Sequence, residues 1–411
     1  MPNSLNKTPQ PHAYRCVCGA SVYFQNSVCL NCHSELGYDP VLAQLVPLAR
    51  TDLPGQWALA SNTELSHTKT VGINPGNANG SSHSNHSNGS DGIGSSNNND
   101  SPRLYYRCAN FSTAAACNWL RPANVVAPGG DDGLCLACSL NRTVPEQSNP
   151  HNQMLWAKIE TAKRRLVVQL LALDLPVRTK QRSPWQDAER GLAFDFLLEQ
   201  QAAMPVMTGH AHGVITINAE EADDGYREQA RRTMQEPYRT LLGHMRHEVG
   251  HYYWDRLVLG TAWIAPFRAW FGDERLDYAS AVQLHYAVGA PADWATRHVS
   301  AYASSHPWED WAETWAHYLH MRDAVATARS FGLDASDVEV ETVPYMLDAL
   351  YDPTTPGAQE FLDFINGWLR MTRVLNELSR SMGERDFYPF VLPRAAIAKL
   401  QLVHEIVKQK L

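Results

Sequence analysis

Residues 241–258 read LLGHMRHEVGHYYWDRLV, and inside them stands His247-Glu248-Val249-Gly250-His251. On a helix, two histidines four residues apart lie one turn above each other on the same face, so their imidazoles can converge on one metal ion. Glu248, beside the first histidine, is placed to take a proton from a water at that metal. The pentapeptide also occurs in ordinary surface helices, but the flanks argue against one here. Leu241, Leu242, Met245, Val249, Tyr252, Tyr253 and Leu257 supply apolar cover. A buried His-Glu-His needs a partner to offset its desolvation, and the expected partner is zinc.

A catalytic zinc needs a third protein ligand, with water in the fourth position. In the pattern HExxHxxGxxH that ligand is a histidine on the same segment, but Trp254 and Leu257 occupy the Gly and final His positions, which excludes it. The best source is Ser304-Ser305-His306-Pro307-Trp308-Glu309-Asp310-Trp311-Ala312-Glu313. Pro307 suits a first helical turn, so Glu309 and Glu313 sit one turn apart on one face. One can ligate zinc while the other orients a ligand histidine through its second nitrogen. Asp255, one turn after His251, is a candidate supporting acid. Asp273, Glu274 and Asp277 are expected to cap and neutralise a helix start.

The eight cysteines all fall in the first third of the chain, in two groups of four: Cys16, Cys18, Cys29, Cys32 and Cys108, Cys117, Cys135, Cys138. Each group contains a C-x2-C knuckle, which in a reducing compartment points to structural zinc rather than disulfides. The first group has the spacing of a zinc ribbon, with β-prone Val22-Tyr23-Phe24 between its knuckles. The second is looser. Residues 1–60 carry three basic and three acidic side chains, and residues 102–146 four and three. A phosphate-gripping ribbon would be markedly basic, so a structural or protein-contacting role is expected.

The chain therefore divides into a ribbon (1–60), an insert (61–102), the second cysteine group (103–146) and a helical domain (151–411). In Gly72–Ser101, 22 of 30 residues are Ser, Asn or Gly, too little apolar content to offset ordering entropy, and disorder is expected. Within the last domain, helices are expected at Met154–Leu173, Ala222–Gln235, Leu241–Val258, Ala269–Tyr286, Tyr302–Met321, Glu360–Ser381 and Arg394–Lys410. Val214–Ile217 reads as a strand that could pair with an extended peptide. His210 and His212 alternate just before it and could touch a ligand. No run reaches the ~18 apolar residues that cross a bilayer, and the opening MPNSLNKTPQPHAYRC lacks the apolar core of a signal peptide. A soluble, cytoplasmic protein is expected. A net charge of −8 gives no general affinity for nucleic acid.

With these residues in hand, the chain resembles the gluzincin metallopeptidases, whose third zinc ligand is a Glu on a later helix. In one branch of them a Tyr stands seven residues before that Glu, where it stabilises the oxyanion. Tyr302 is seven before Glu309. More closely, the layout resembles a bacterial family of zinc-binding metallopeptidases with an N-terminal zinc ribbon followed by HEVGHYYWD and HPWEDWAETWAHY. The resemblance implies an α+β fold: a mainly helical gluzincin-like domain with a small sheet, preceded by a ribbon. It implies one catalytic zinc on His247, His251 and Glu309, Glu248 as general base, Tyr302 at the oxyanion, Glu313 behind a ligand histidine, and a peptide or protein substrate. Two readings compete with it, a non-catalytic ribbon adaptor for protein partners and a SprT-like protease associated with nucleic acid.

Elemental analysis of the purified protein is expected to give about three zinc ions per chain, two on thiolates and one on the histidine site. One ion per chain, or disulfides on thiol titration, would overturn this reading.

Overall fold

The computed structural model describes residues 13–60, 103–125, 132–181, 183–199, 206–233 and 239–409. The expected disorder of Gly72–Ser101 falls outside them. The architecture is α+β, with helices dominating the C-terminal part and strands the N-terminal part. Among the described residues no helix is long and apolar enough to cross a membrane.

The N-terminal part begins with a short antiparallel pair, β1 (Tyr14–Arg15) and β2 (Ser21–Val22). Tyr23 and Phe24 leave the strand and turn, the Tyr23 amide donating to Asn26 Oδ1 at 2.6 Å. Next come β3 (Glu35–Asp39), β4 (Gln44–Arg50), β5 (Gln56–Leu59), β6 (Leu104–Arg107) and β7 (Leu120–Pro122), which form an antiparallel sheet in that order. The apolar run at 42–57, which by sequence reads as a connector within the ribbon segment, supplies β4 and the start of β5. β5 and β6 come from either side of the insert and pair directly, Trp57 opposite Tyr105.

One aromatic core serves both cysteine groups. Tyr38 packs edge-on against Phe24 and tilted against Trp119, both with ring centroids 5.0 Å apart. Beside them the Asn118 side chain donates to the Phe24 and Asn26 carbonyls at 2.7 and 3.0 Å. The second group's gaps are long because a 3-10 turn (Ala109–Ser112) and β7 separate its cysteines before the short helix α1 (Leu136–Ser139) brings Cys138 back.

α2 (Pro150–Ala172) opens on Asn149, whose side chain accepts from the His151 amide at 2.9 Å, with Pro150 in the first turn where its missing N–H costs nothing. Its Leu155, Ile159, Leu166, Val167 and Leu170 are fully buried. The same helix meets the second cysteine group with charge. Glu160 and Lys163, both with side chains 0% exposed, pair at 2.6 Å. Glu160 also lies 3.8 Å from the Cys138 sulfur, and Arg164 donates to the Ala115 carbonyl at 2.9 Å.

β8 (Asn141–Thr143), β9 (Ala193–Leu197), β10 (Gly209–Ala211) and β11 (Val214–Asn218) build a second sheet in the order β10-β11-β9-β8. β11 runs parallel to β9 and antiparallel to β10. Both edges of Val214–Ile217 are therefore occupied, which corrects the expectation that this strand pairs with peptide. Among the described residues, β10 and β8 are the edge strands of this sheet.

After α3 (Asp224–Thr233), α4 (Leu241–Leu257) starts at Thr240, whose hydroxyl accepts from the Gly243 amide at 2.9 Å. The stretch 269–286 is not one helix. α5 (Ile264–Trp270) ends before Gly272, at φ 109°, and α6 (Tyr278–Val288) starts afresh with Asp277 accepting from the Ser280 amide at 2.8 Å. Tyr302–Ser304 form a 3-10 turn, and α7 (Pro307–Ser330) begins one turn later. α8 (Ala358–Ser381) and α9 (Arg394–Gln409) close the domain. Buried Lys399 of α9 holds Asp310 of α7 at 2.5 Å.

α4 and α7 pack closely because of Gly250. A β-carbon there would lie 3.0 Å from Ala312 Cα and 3.2 Å from the Trp315 ring. The Gly250 carbonyl accepts from the Trp311 indole at 2.8 Å. Gly250→Ala is expected to cost about 1–3 kcal/mol despite alanine's better helix propensity, because the obstacle is backbone on α7. Urea unfolding of the variant checks this.

Candidate metal centre

α4 turns one side toward the core through Met245, Val249, Tyr253 and Leu257, all buried. The 3.6-residue period then places His247 and His251 together on the α7 side, with ring centroids 5.0 Å apart. α7 answers with two carboxylates one turn apart. Glu309 Oε2 lies 2.9 Å from His247 Nε2, and its Oε1 lies 3.6 Å from His251 Nε2. Glu313 Oε1 sits 2.8 Å from the other nitrogen of His247, Nδ1. Glu313 is held in turn by the Ser300 hydroxyl, which donates to Oε2 at 2.6 Å.

The two acids therefore do different things. Glu309 faces both Nε2 atoms and completes a group whose three ligand atoms lie within 4.8 Å of one another. Glu313 faces the other nitrogen of one of those imidazoles, the position from which a carboxylate orients a ring.

The electrostatics follow this geometry. Burial pushes the Glu309 carboxyl up, but the His251 and His247 imidazoles outweigh it and hold it well below the usual carboxylate range. Glu313 is likewise raised by burial and lowered more by His247, to about 2. Burial lowers His247, and the two carboxylates more than reverse this. His251, with less compensation, is lowered. Glu248 has no such partner: burial raises it to about 8 against the opposing pull of His247.

The residues fit a zinc ion. Two imidazole nitrogens and one carboxylate oxygen form an N/N/O donor set that leaves a fourth position open. Among the described residues, Glu248 Oε2 is a buried atom without a hydrogen-bond partner, the condition a cation or water at this point relieves, and Glu309 Oε2 faces only the Nε2 of His247.

The other expected residues divide. Tyr302 is close, its ring 6.1 Å from that of His247. Burial and the neighbouring Glu309 hold its hydroxyl protonated. His306 instead caps α7, its Nδ1 accepting from the Trp308 amide at 3.1 Å. Asp255 does not join the group. It lies one turn past His251, raised by burial, and the charge acting on it is that of His212. Asp273 pairs with Arg275 at 2.8 Å and Glu274 with Arg268 at 2.5 Å, while Asp277 caps α6. His210 lies near the centre, its ring parallel to that of His251 at 6.4 Å. Trp308 packs on His251 at 3.9 Å.

Sequence reasoning missed Tyr278 and Ser300. The Tyr278 hydroxyl donates to Glu309 Oε1 at 2.6 Å, while Oε2 is the oxygen turned to His247 Nε2. No local spacing links a tyrosine to a glutamate 31 positions later.

Both cysteine groups converge. Cys16, Cys18, Cys29 and Cys32 have their sulfurs within 4.8 Å of one another, as do Cys108, Cys117, Cys135 and Cys138, and none of these cysteines forms a disulfide. Two of the sulfurs accept N–H donors, Cys18 from Asn31 at 3.4 Å and Cys108 from the Cys135 amide at 3.3 Å. A thiolate welcomes such donors.

The pair of acids gives a sharp test. Glu309→Ala removes a ligand and is expected to abolish zinc occupancy at this site. Glu313→Ala loosens His247 and is expected to weaken zinc affinity about 10–100-fold, so excess zinc restores Glu313→Ala and not Glu309→Ala. Chelator competition reads both, and the reverse pattern would exchange the two roles.

Comparison with known proteins places the chain in a family. Residues 152–406 match the family described as "Putative zinc-binding metallo-peptidase". Residues 13–74 and 81–149 match a zinc-ribbon domain. Uncharacterized proteins of Mycobacterium bovis and Mycobacterium tuberculosis are 42% identical over 303 residues, 74% of this chain and 82% of theirs. No solved structure matches the chain. The matched segment holds His247, Glu248, His251, Glu309 and Glu313 together, and the chain belongs to this family of zinc-binding metallo-peptidases.

Proposed function

We propose that the protein is a zinc-dependent peptidase that cleaves peptide bonds with Glu248 as general base. One observation carries the reading: a buried carboxylate, raised to about 8 and without a hydrogen-bond partner, stands beside a His/His/Glu group suited to zinc. A general base works best when its pKa lies near the working pH. His247 and His251 through Nε2, and Glu309 through Oε2, would hold the ion. Zinc bound there supplies Lewis acidity, polarising the scissile carbonyl and acidifying water.

The chain's own residues do the rest. Glu248 takes the proton of the attacking water as its oxygen bonds to the carbonyl carbon. It returns that proton to the amide nitrogen as the C–N bond breaks. Tyr302 and Tyr278 are both raised by burial and by Glu309. Both stay protonated; Tyr302 offers its O–H to the negative charge that develops on the carbonyl oxygen, while the Tyr278 O–H stays donated to Glu309 Oε1. Glu313 and Ser300 keep His247 facing the ion. The edge strand β10, which carries His210 beside His251, offers backbone pairing to an extended substrate. The two cysteine groups each hold a structural zinc, three ions per chain in all.

Glu248→Gln preserves size and hydrogen bonding but cannot take a proton. It is expected to lower the rate on a peptide substrate at least ~100-fold while zinc content stays at the wild-type level. Retained hydrolysis by Glu248→Gln would sink the mechanism.

A further inference from the structure

We propose that α6 is the apolar wall of the substrate cleft and selects polypeptide segments with apolar side chains. This rests on the peptidase reading above and names its substrate class. α6 reaches the metal centre at both ends. At its first turn the Tyr278 hydroxyl bonds to Glu309 at 2.6 Å, and the Tyr278 ring packs edge-on against His306 and Trp308 at 5.3 and 5.7 Å. Two turns later His285 and Tyr286 lie 5.8 and 6.4 Å from the ring of Tyr302, which itself neighbours His247.

What α6 shows to solvent is unusual for a surface helix. No Asp, Glu, Lys or Arg occurs from Tyr278 to Ala292, and no residue of α6 is fully buried. Leu284, Tyr286 and Val288 are 63, 64 and 72% exposed, and Leu276 just before the helix is 59% exposed. Leu284 and Val288, one turn apart, share one flank of the helix, and Tyr286 lies on the other, beside Tyr302; exposed apolar surface of this kind marks a binding site more often than an ordinary face. The lack of charge removes the desolvation cost that a covering partner would otherwise meet.

The catalytic reading requires a polypeptide to pass the metal centre within reach of Glu248, so a peptide chain is the partner that must lie along this wall. The dimensions agree. Eleven residues at 1.5 Å each make α6 roughly 16 Å long, the span of about five residues of extended chain at ~3.3 Å each. Apolar side chains on such a segment meet Tyr286 on the flank beside Tyr302, or Leu284 and Val288 on the other flank, while Tyr278 joins the same helix to Glu309.

The test uses full-length, zinc-loaded protein carrying Glu248→Gln, which holds peptide uncleaved. Two fluorescently labelled peptides are titrated, one alternating Leu with Ser and the other with every Leu replaced by Ser. The Leu peptide is expected to bind about tenfold or more tightly, the scale that burying two or three partly exposed side chains supports. Adding Leu284→Ser/Tyr286→Ser/Val288→Ser is expected to erase that preference without changing zinc content or melting temperature. If the triple variant unfolds, Val288→Asp alone is expected to reduce the preference.

Equal binding of the two peptides, or a preference that survives these changes, overturns the proposal. So does a triple variant whose main defect is lost binding to phosphatidylcholine vesicles, or the loss of a dimer. The two readings fail separately. Selective binding with no hydrolysis by wild type removes the peptidase reading alone, and hydrolysis indifferent to α6 removes this one alone.

Discussion

The centre depends on one imidazole being held from both sides. His247 meets Glu309 at Nε2 and Glu313 at Nδ1, 2.9 and 2.8 Å away, and the two acids are one turn apart on α7. A ring gripped at both nitrogens has no freedom to rotate, so its position is set by how α4 and α7 pack. That packing rests on Gly250, the one position in HEVGH where the backbones come close enough to exclude a side chain. The motif therefore supplies both the ligands and the close helix contact that brings the third ligand to them.

Around this clamp the chain spends its aromatic residues. Trp311 and Trp315 are fully buried on α7, with Tyr253 of α4 stacked on Trp315 at 5.1 Å. Trp308 covers His251 at 3.9 Å. Large rigid side chains confine the imidazoles at little entropic cost and keep the dielectric low, which strengthens each carboxylate–imidazole contact. The same surroundings leave Glu248 raised. The helix that carries its neighbours' ligands is itself braced by α2, whose Gln169 accepts from Arg246 at 3.0 Å. α2 also meets the second cysteine group through Glu160 and Arg164. The ribbon part and the part that carries the His/His/Glu group thus share one structural helix.

Much of this was legible in the sequence, for a physical reason. His247, Glu248 and His251 interact through helix periodicity alone, and Glu309 and Glu313 form a second periodic pair beside a helix-starting proline. Two local patterns needed only to be brought together. The cysteines were equally legible, since C-x2-C spacing is a local device. What escaped depends on tertiary order. Tyr278 reaches Glu309 from another helix. Val214–Ile217 shows β-propensity plainly, but nothing local says that β10 folds back to take its edge. The break at Gly272 was visible as a glycine beside an acidic cluster, but helix-forming residues on either side masked it. Residues 42–57 read as a connector because β5 pairs with a strand beyond the long insert.

The account's central claim is that His247, His251 and Glu309 hold zinc while Glu313 orients His247. Anomalous diffraction at the zinc edge from crystals of the metal-loaded protein tests it most directly. The predicted result is a peak about 2.0–2.2 Å from His247 Nε2, His251 Nε2 and a Glu309 oxygen, with Glu313 hydrogen-bonded to Nδ1. A peak ligated by Glu313 in place of Glu309, or no metal between α4 and α7, would contradict it.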